Sequence, residues 1–456
     1  MRRAAVLWIL LFGVYAATIG LGAFGSSEYA GQEPHHLLTA RSLVDDGDVD
    51  LVDDYRVRAY EEFYPYTLEP RGDLTDGRLN EPQGLGFPAL IAPAYAVGGA
   101  KLVELMLAAL AALAIAIAYR LALRAVPDPW ALGAALAVGV SSPLVAYSTA
   151  VYPELAAGAA VAGAALLALR QREHRPTRLG AVACFALIAS LPWLGMRFVP
   201  IAAVVAGYAY VGLRKARRGL LALAGIEVVA FATAVFVGVN GRLYGGPSPE
   251  SAAVGGPAGT EAEFPLGYLE RAYRLAALWV DREFGLLRWA PVLALALVGA
   301  WLLVRERRRG LVRAIPALER EVSVATLCAV ACGAQVVVAA FLAPTMFGFW
   351  FPGRQLVAAL PLAVPLVALG LRRVPRAGLA LGAIGLAASV WLYLADSGLA
   401  DDRPRAPLGP LTDVLPLFTE GSTLPFFIAA VLGLAVTGAG WMALRHPPTA
   451  AGSQPS

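Results

Sequence analysis

Runs of about 20 apolar residues recur along this chain from residue 4 to residue 443, and no other feature restricts its fold as strongly. A helix rising about 1.5 Å per residue crosses the hydrocarbon core of a bilayer in such a run. Within lipid every backbone polar group needs an internal partner, which leaves helix bundles and closed barrels. The alternating, evenly spaced strands of a membrane barrel are missing, so the expectation is an all-α polytopic membrane protein. Composition agrees: 58% of the 456 residues are hydrophobic, 15% are charged and the mean hydropathy is +0.63. Twelve spans are predicted, at 4–24, 101–121, 130–149, 153–169, 179–196, 198–213, 219–239, 285–304, 322–343, 355–371, 377–395 and 424–443.

Met1-Arg2-Arg3 followed by a long apolar run predicts an uncleaved first span, because the run exceeds the 7 to 15 residues of a typical signal-peptide core. Cys184, Cys328 and Cys332 all fall inside predicted spans, which predicts small apolar packing groups and neither disulfides nor metal ligands. With a cytoplasmic N-terminus, the inner segments hold 22 of the 37 Lys+Arg residues and 5 of the 33 Asp+Glu, meeting the positive-inside rule at each inner loop. The apolar stretch 84–99 is short and broken by Pro88, Pro93 and Gly98-Gly99. Counting it as a crossing would turn the arginine clusters outward, so it is expected to be interfacial or re-entrant on the outer face. No basic stripe with interleaved aromatics suggests nucleic acid, and no Gly-x-x-x-x-Gly-Lys motif suggests nucleotide-driven transport.

This topology gathers the long polar segments, 25–84, 240–284, 344–354 and 396–423, on the outer face. The first loop carries fourteen acids and five arginines between Glu28 and Glu81. In "EPHHLLTARSLVDD" Pro34 opens a predicted amphipathic helix lying on the membrane surface, with Glu33, His35 and His36 at its start. Glu33 suits a general base, because partial desolvation raises a carboxylate's pKa, and it equally suits a first-turn acid facing the positive end of the helix dipole. Both readings stay open. His35 with Glu33 is a candidate pair for a divalent cation, although adjacent helical histidines point about 100° apart, so that His36 does not readily join. "DDGDVDLVDD" lacks the Gly and Glu of a calcium loop, with Leu51 and Val57 in their places.

Glu154, Arg197, Asp281, Arg282 and Arg354 stand at the outer ends of predicted spans, where charges either snorkel, pair or seat a lipid-borne phosphate. Glu227 lies mid-span and is expected to face the bundle interior. Residues 240–284 are expected to form a mobile outer loop: "GGPSPESAAVGGPAGTEAEF" reads as a lid, and the stretch after it as a helix along the membrane. Residues 1–443 are taken as one transmembrane domain, and 444–456 as a disordered cytoplasmic tail.

The pieces "EPHHLLTARSLVDDGDVDL", "GLGFPALIAPAYAVGG", "YPELAAG", "LPWLGMRF", "DREFGLLRWAP" and "FPGRQLVAALPL", in this order, resemble the GT-C superfamily of membrane glycosyltransferases. Within it, the chain looks most like bacterial mannosyltransferase-like or arabinosyltransferase-like proteins. The resemblance implies a bundle of about twelve transmembrane helices with surface helices in the first outer loop, in the bacterial cytoplasmic membrane. Both termini would be cytoplasmic and the site extracytoplasmic. It also implies an inverting transfer of a hexose or pentose from a polyprenyl-phosphate donor to a glycan, glycolipid or glycoprotein acceptor, in envelope assembly. An Asp-Glu pair common at the start of the first motif is Gln32-Glu33 here, so the implied catalytic acid falls to Glu33 or to the upstream Glu28. Arg354, then Arg197 and Arg282, then Arg56 and Arg58 are the implied donor-phosphate ligands, with His35, His36, Glu154, Asp281 and Glu81 in supporting or acceptor roles. A lipid-linked-sugar flippase and a non-catalytic scaffold are the alternatives.

Overall fold

A computed structural model describes residues 2–20, 27–254, 266–308, 316–344, 351–394 and 417–418. The predicted span 424–443 and the tail 444–456 lie outside the described residues.

The chain is a bundle of helices: α1 (Arg2–Ala16), α2 (Glu33–Asp45), α3 (Val52–Arg56), α4 (Gly86–Ala125), α5 (Trp130–Gly139), α6 (Ser142–Ser148), α7 (Glu154–Glu173), α8 (Arg178–Leu194), α9 (Val199–Lys215) and α10 (Gly219–Leu243). After three short helices, α11 (Leu266–Glu270), α12 (Arg274–Val280) and α13 (Leu286–Trp289), come α14 (Ala294–Arg308), α15 (Pro316–Val337), α16 (Arg354–Val357), α17 (Leu360–Arg373) and α18 (Pro375–Leu394). Every predicted span within the described residues coincides with one or more of these helices. By length and apolar composition alone, however, five qualify as crossings, or six if α5 and α6, bent by 59°, form one. The others fall short for local reasons: α17, for example, is only 14 residues long and α16 precedes it across a short break.

Helix α4 has 40 residues, and straight it would be about 60 Å long, twice the hydrocarbon thickness. It is not straight. Gly98 and Gly99 leave helical geometry, which separates the apolar stretch 86–97 from the helix that follows. Close packing elsewhere depends on missing side chains: a Cβ on Gly299 of α14 would strike the backbone carbonyl of Leu366, and one on Gly370 of α17 would strike that of Leu295. The two glycines let these helices approach to backbone contact, the usual device of helix pairs in lipid.

Three sequence expectations change. The helix at 33–45 forms, but it does not lie on a surface: Glu33 through Ala40 are all buried. Leu37 and Ala40 pack into the main core, while Leu38 joins a second core with Leu51, Tyr60, Leu68 and Leu79. The segment between α1 and α4 thus folds into a cap with its own interior, stitched by a two-stranded hairpin, Leu74–Thr75 with Arg78–Leu79, that the all-α reading did not contain. Second, Glu227 is exposed on the outside of α10, because α10 meets the bundle through Ala222, Gly225, Phe236 and Asn240 on the opposite side. Third, the part of the expected lid that is described is tied down: Asp73 N–H donates to Ala252 O at 2.7 Å and Val254 N–H to Arg71 O at 2.9 Å. Residues 255–265 lie outside the described residues.

Charge pairs collect at two ends of the bundle. Arg3–Asp128, Arg124–Glu173 and Arg172–Glu319 join the short basic loops at one end. The first loop, the start of α7, the α8–α9 turn and the start of α16 meet at the other.

Candidate active site

The site begins with backbone geometry. Gln32 and Glu33 stand where the chain enters α2, and Glu33, 1% exposed, sends its carboxylate to two amides. Its Oε2 accepts from Ala30 N–H at 2.9 Å and its Oε1 from Val151 N–H at 2.8 Å, just before α7. Each oxygen keeps a further lone pair. Burial drives the Glu33 carboxyl up to about 8, against the opposing pull of those two amides and of Arg354.

Three residues after Val151, Glu154 opens α7 in full burial. Its Oε1 accepts from Arg354 Nε and from Arg197 Nη2, both at 2.8 Å. Arg354 follows Gly353, whose φ of +89° suits glycine and turns the chain so that the guanidinium enters the bundle. The same guanidinium donates from Nη2 to Gln32 Oε1 at 2.8 Å, and its centre lies 3.9 Å above the Tyr152 ring. Arg354 is buried and Arg197 is 27% exposed, so Arg197 is the member of the group that faces outward. Two guanidinium groups therefore share one carboxylate oxygen, and the Arg197 Nε and Glu154 Oε2 atoms have no partner among the described residues.

His35 and His36 diverge, as their helical spacing requires. His35 Nδ1 lies 3.2 Å from Glu81 Oε1 and 3.0 Å from the Tyr55 hydroxyl, which itself donates to Glu81 at 2.5 Å. Burial alone would raise Glu81, but His35, Tyr55 and the Arg71 amide hold its carboxyl below the ordinary range. His36 packs edge-on against Phe87, with ring centroids 4.9 Å apart. Burial, then the field of Arg354, keeps it well below the usual histidine range and neutral. The suggested cation pair therefore does not form: His35 turns to Glu81 while Glu33 turns to two amides. Among the described residues no three His, Cys, Asp or Glu side chains are grouped to hold a metal ion.

Other candidates lie apart from this cluster. Glu28, half-exposed, pairs with Lys101, which also reaches Glu104 at 3.3 Å, and Tyr29 donates to Glu104. Asp281 accepts from the amides of Glu283, Phe284 and Phe418 at 2.8, 2.9 and 2.9 Å, so its carboxylate organises a turn. Arg282 sits in that turn, its carbonyl accepting from Arg288. Arg56 and Arg58 are exposed on the cap, where Arg58 pairs with Glu61 at 2.9 Å. Sequence reasoning missed Gln32, Tyr152, Lys101, Tyr55 and Arg71. Of these, only Gln32 carried a signal, as the first residue of the Gln32-Glu33 pair. The buried Arg271 and Arg274 were also unforeseen; they donate to carbonyls of Phe341, Ala343 and Pro344.

No family model and no curated protein matches this chain. Two solved structures are similar to it. ArnT from Cupriavidus metallidurans in the apo state shares 17% identity, with 83% of this chain and 62% of that chain covered and a TM-score of 0.47. The same protein bound to undecaprenyl phosphate shares 14% identity over 86% of this chain and 69% of that chain, with a TM-score of 0.48. This chain thus spans 62% of the length of the apo ArnT chain.

Proposed function

We propose that this chain is a membrane glycosyltransferase of the GT-C kind. In this reading it moves a sugar from polyprenyl phosphate to an acceptor hydroxyl at the extracytoplasmic end of the bundle. One observation carries the reading: Arg354 and Arg197 converge on a single oxygen of Glu154, beside a Glu33 that burial keeps largely protonated near neutral pH. The group then holds about one positive charge in excess at the rim of an apolar bundle, which is costly without an anion. A phosphate carried in lipid brings that charge to the height of the headgroups, and guanidinium forks suit its geometry.

In the transfer, the acceptor hydroxyl gives its proton to the Glu33 carboxylate as its oxygen bonds to the anomeric carbon. The bond from that carbon to the phosphate oxygen breaks, and Arg354 and Arg197 take the charge of the departing polyprenyl phosphate. A single displacement inverts the anomeric centre. Glu33 is preferred to Glu28 as base because Glu28 is half-exposed and tied to Lys101. Gln32 and Tyr152 position Arg354, while His35 and Glu81 brace the cap. The flippase reading draws no support from Glu227, which faces outward, nor from Gln335, whose amide donates to Gln355 O at 2.9 Å.

The test uses the purified chain in nanodiscs with undecaprenyl phosphate, followed by membranes supplied with polyprenyl-phosphate sugars. Binding is expected to fall in Arg354→Gln, and transfer to fall by orders of magnitude in Glu33→Gln while lipid binding persists. Undiminished transfer in Glu33→Gln removes the base assignment. Failure of the unmodified chain to bind undecaprenyl phosphate removes the donor class.

A further inference from the structure

The opposite end of the bundle holds a second concentration of cations. Helix α7 carries the chain about 30 Å away from Glu154, into the turn before α8. Helix α9 likewise leads into the turn before α10. Between these two turns lies a cleft of about 570 Å³, lined by residues 175–178 and 217–221. Four of its nine lining residues are arginines: Arg175, Arg178, Arg217 and Arg218.

Among the described residues none of these four guanidinium groups has an ion pair or a side-chain hydrogen bond. Neighbouring cations differ: Arg124 has Glu173, and Arg172 has Glu319 and the Tyr208 hydroxyl. No acidic side chain lines the cleft. Four like charges around one cavity repel unless an anion lies between them. The backbone adds to the field, because α8 and α10 both begin at the cleft. Thr177 caps the first, accepting from Gly180 N–H at 3.1 Å, whereas no side chain caps the start of α10 at Arg218.

The rim is apolar. Leu179, directly after the lining Arg178, and Leu220, itself a lining residue two positions after Arg218, are 80% and 85% exposed. In a chain with membrane-crossing helices, exposed leucines beside a cationic cleft mark where hydrocarbon meets headgroup. A soluble anion would use the arginines and ignore the leucines, whereas a phospholipid uses both.

We propose that this cleft is a site for a negatively charged phosphate group, presented by the headgroup of an anionic phospholipid whose acyl chains run past Leu179 and Leu220. The site is separate from the Glu33 cluster and stands whether or not that cluster transfers sugar. Free phosphate has the same chemistry, so the experiment compares the two sources.

The full chain in detergent is titrated with dioctanoyl phosphatidylglycerol, dioctanoyl phosphatidylcholine and inorganic phosphate, with binding read by native mass spectrometry and thermal shift. Phosphatidylglycerol is expected to bind at least about tenfold more tightly than either other probe. The combined substitution Arg175→Gln, Arg178→Gln, Arg217→Gln and Arg218→Gln is expected to weaken it by at least about tenfold. Arg372→Gln with Arg373→Gln, exposed arginines outside the cleft, is expected to leave it unchanged. Should the combined variant fail to fold, Arg175→Gln and Arg218→Gln, one on each turn, apply the same test singly. Equal phosphatidylglycerol binding by the cleft variants overturns the proposal, as does an equal loss in the Arg372/Arg373 variant, which would mean diffuse surface charge. Inorganic phosphate binding as tightly as the lipid overturns the lipid as the source.

Discussion

Gln32 Oε1 accepts a hydrogen bond from Arg354 Nη2 at 2.8 Å, joining two residues 322 positions apart. The contact ties the start of α2 to the entry of α16 and fixes the plane of the guanidinium. With Nε on Glu154 and its face over Tyr152, Arg354 is held in three directions. A lysine has the charge without the planar fork and cannot serve Gln32 and Glu154 together. Arg354→Lys is therefore expected to weaken undecaprenyl-phosphate binding by about tenfold or more and to lower the melting temperature. Equal binding by the two proteins would mean that charge alone matters.

Glu154 keeps two guanidinium groups together, and its removal leaves like charges side by side. Glu154→Gln alone is expected to destabilise the chain by about 3 to 5 kcal/mol, the usual result of removing one partner from a buried ion pair. Adding Arg354→Gln removes the repulsion, so the double variant is expected to lose less than the sum of the single losses, by about 1 to 3 kcal/mol. Thermal unfolding of the four proteins in one detergent measures that coupling. A coupling of zero would separate the two side chains energetically despite their 2.8 Å contact.

Glu33 makes stability depend on pH. Its carboxyl rises in the folded chain from 4.5 to about 8, chiefly through burial. Between those two values the unfolded chain has released the proton that the folded chain retains, so the folded state binds more protons and stability falls as pH rises. The contribution is complete below about pH 4.5 and gone above about pH 8. Glu33→Gln, which cannot titrate, is expected to flatten this slope in melting curves taken across the window. Sugar transfer has the opposite dependence, because only the ionised carboxylate accepts a proton, so the rate is expected to climb toward pH 8.

Much of the architecture was legible because lipid imposes it. Each predicted span within the described residues met at least one helix, and the Gly98-Gly99 break appeared where glycine and proline interrupt the apolar run. The charged rim residues Glu33, Glu154, Arg197 and Arg354 were also legible, since charges at the ends of apolar runs stand out. Their pairing was not. Glu154 and Arg354 are 200 positions apart, and nothing local to either says which of several rim acids and arginines will meet. Helix α2 misled for a related reason: its pattern shows one apolar face, but a second core formed by Leu51, Tyr60, Leu68 and Leu79 covers the other side. Glu227 was assigned inward on cost alone, whereas the orientation of α10 is set by Ala222, Gly225, Phe236 and Asn240.

The crossing of α14 and α17 allows a packing test that is independent of function. A methyl group at either Gly299 or Gly370 meets a backbone carbonyl of the facing helix, and a carbonyl cannot rotate away as a side chain can. The helices must separate instead, losing contact along the whole crossing. Gly299→Ala and Gly370→Ala are each expected to cost about 1 to 3 kcal/mol, and the pair less than their sum, because one separation relieves both clashes. Gly333→Ala in α15 is the control: nothing lies within 4 Å of its added Cβ, so the substitution is expected to be neutral or slightly stabilising through better helix propensity. Melting temperatures of the four variants in one detergent decide the matter, and equal values for Gly299→Ala and Gly333→Ala would show that the two helices do not touch at backbone distance.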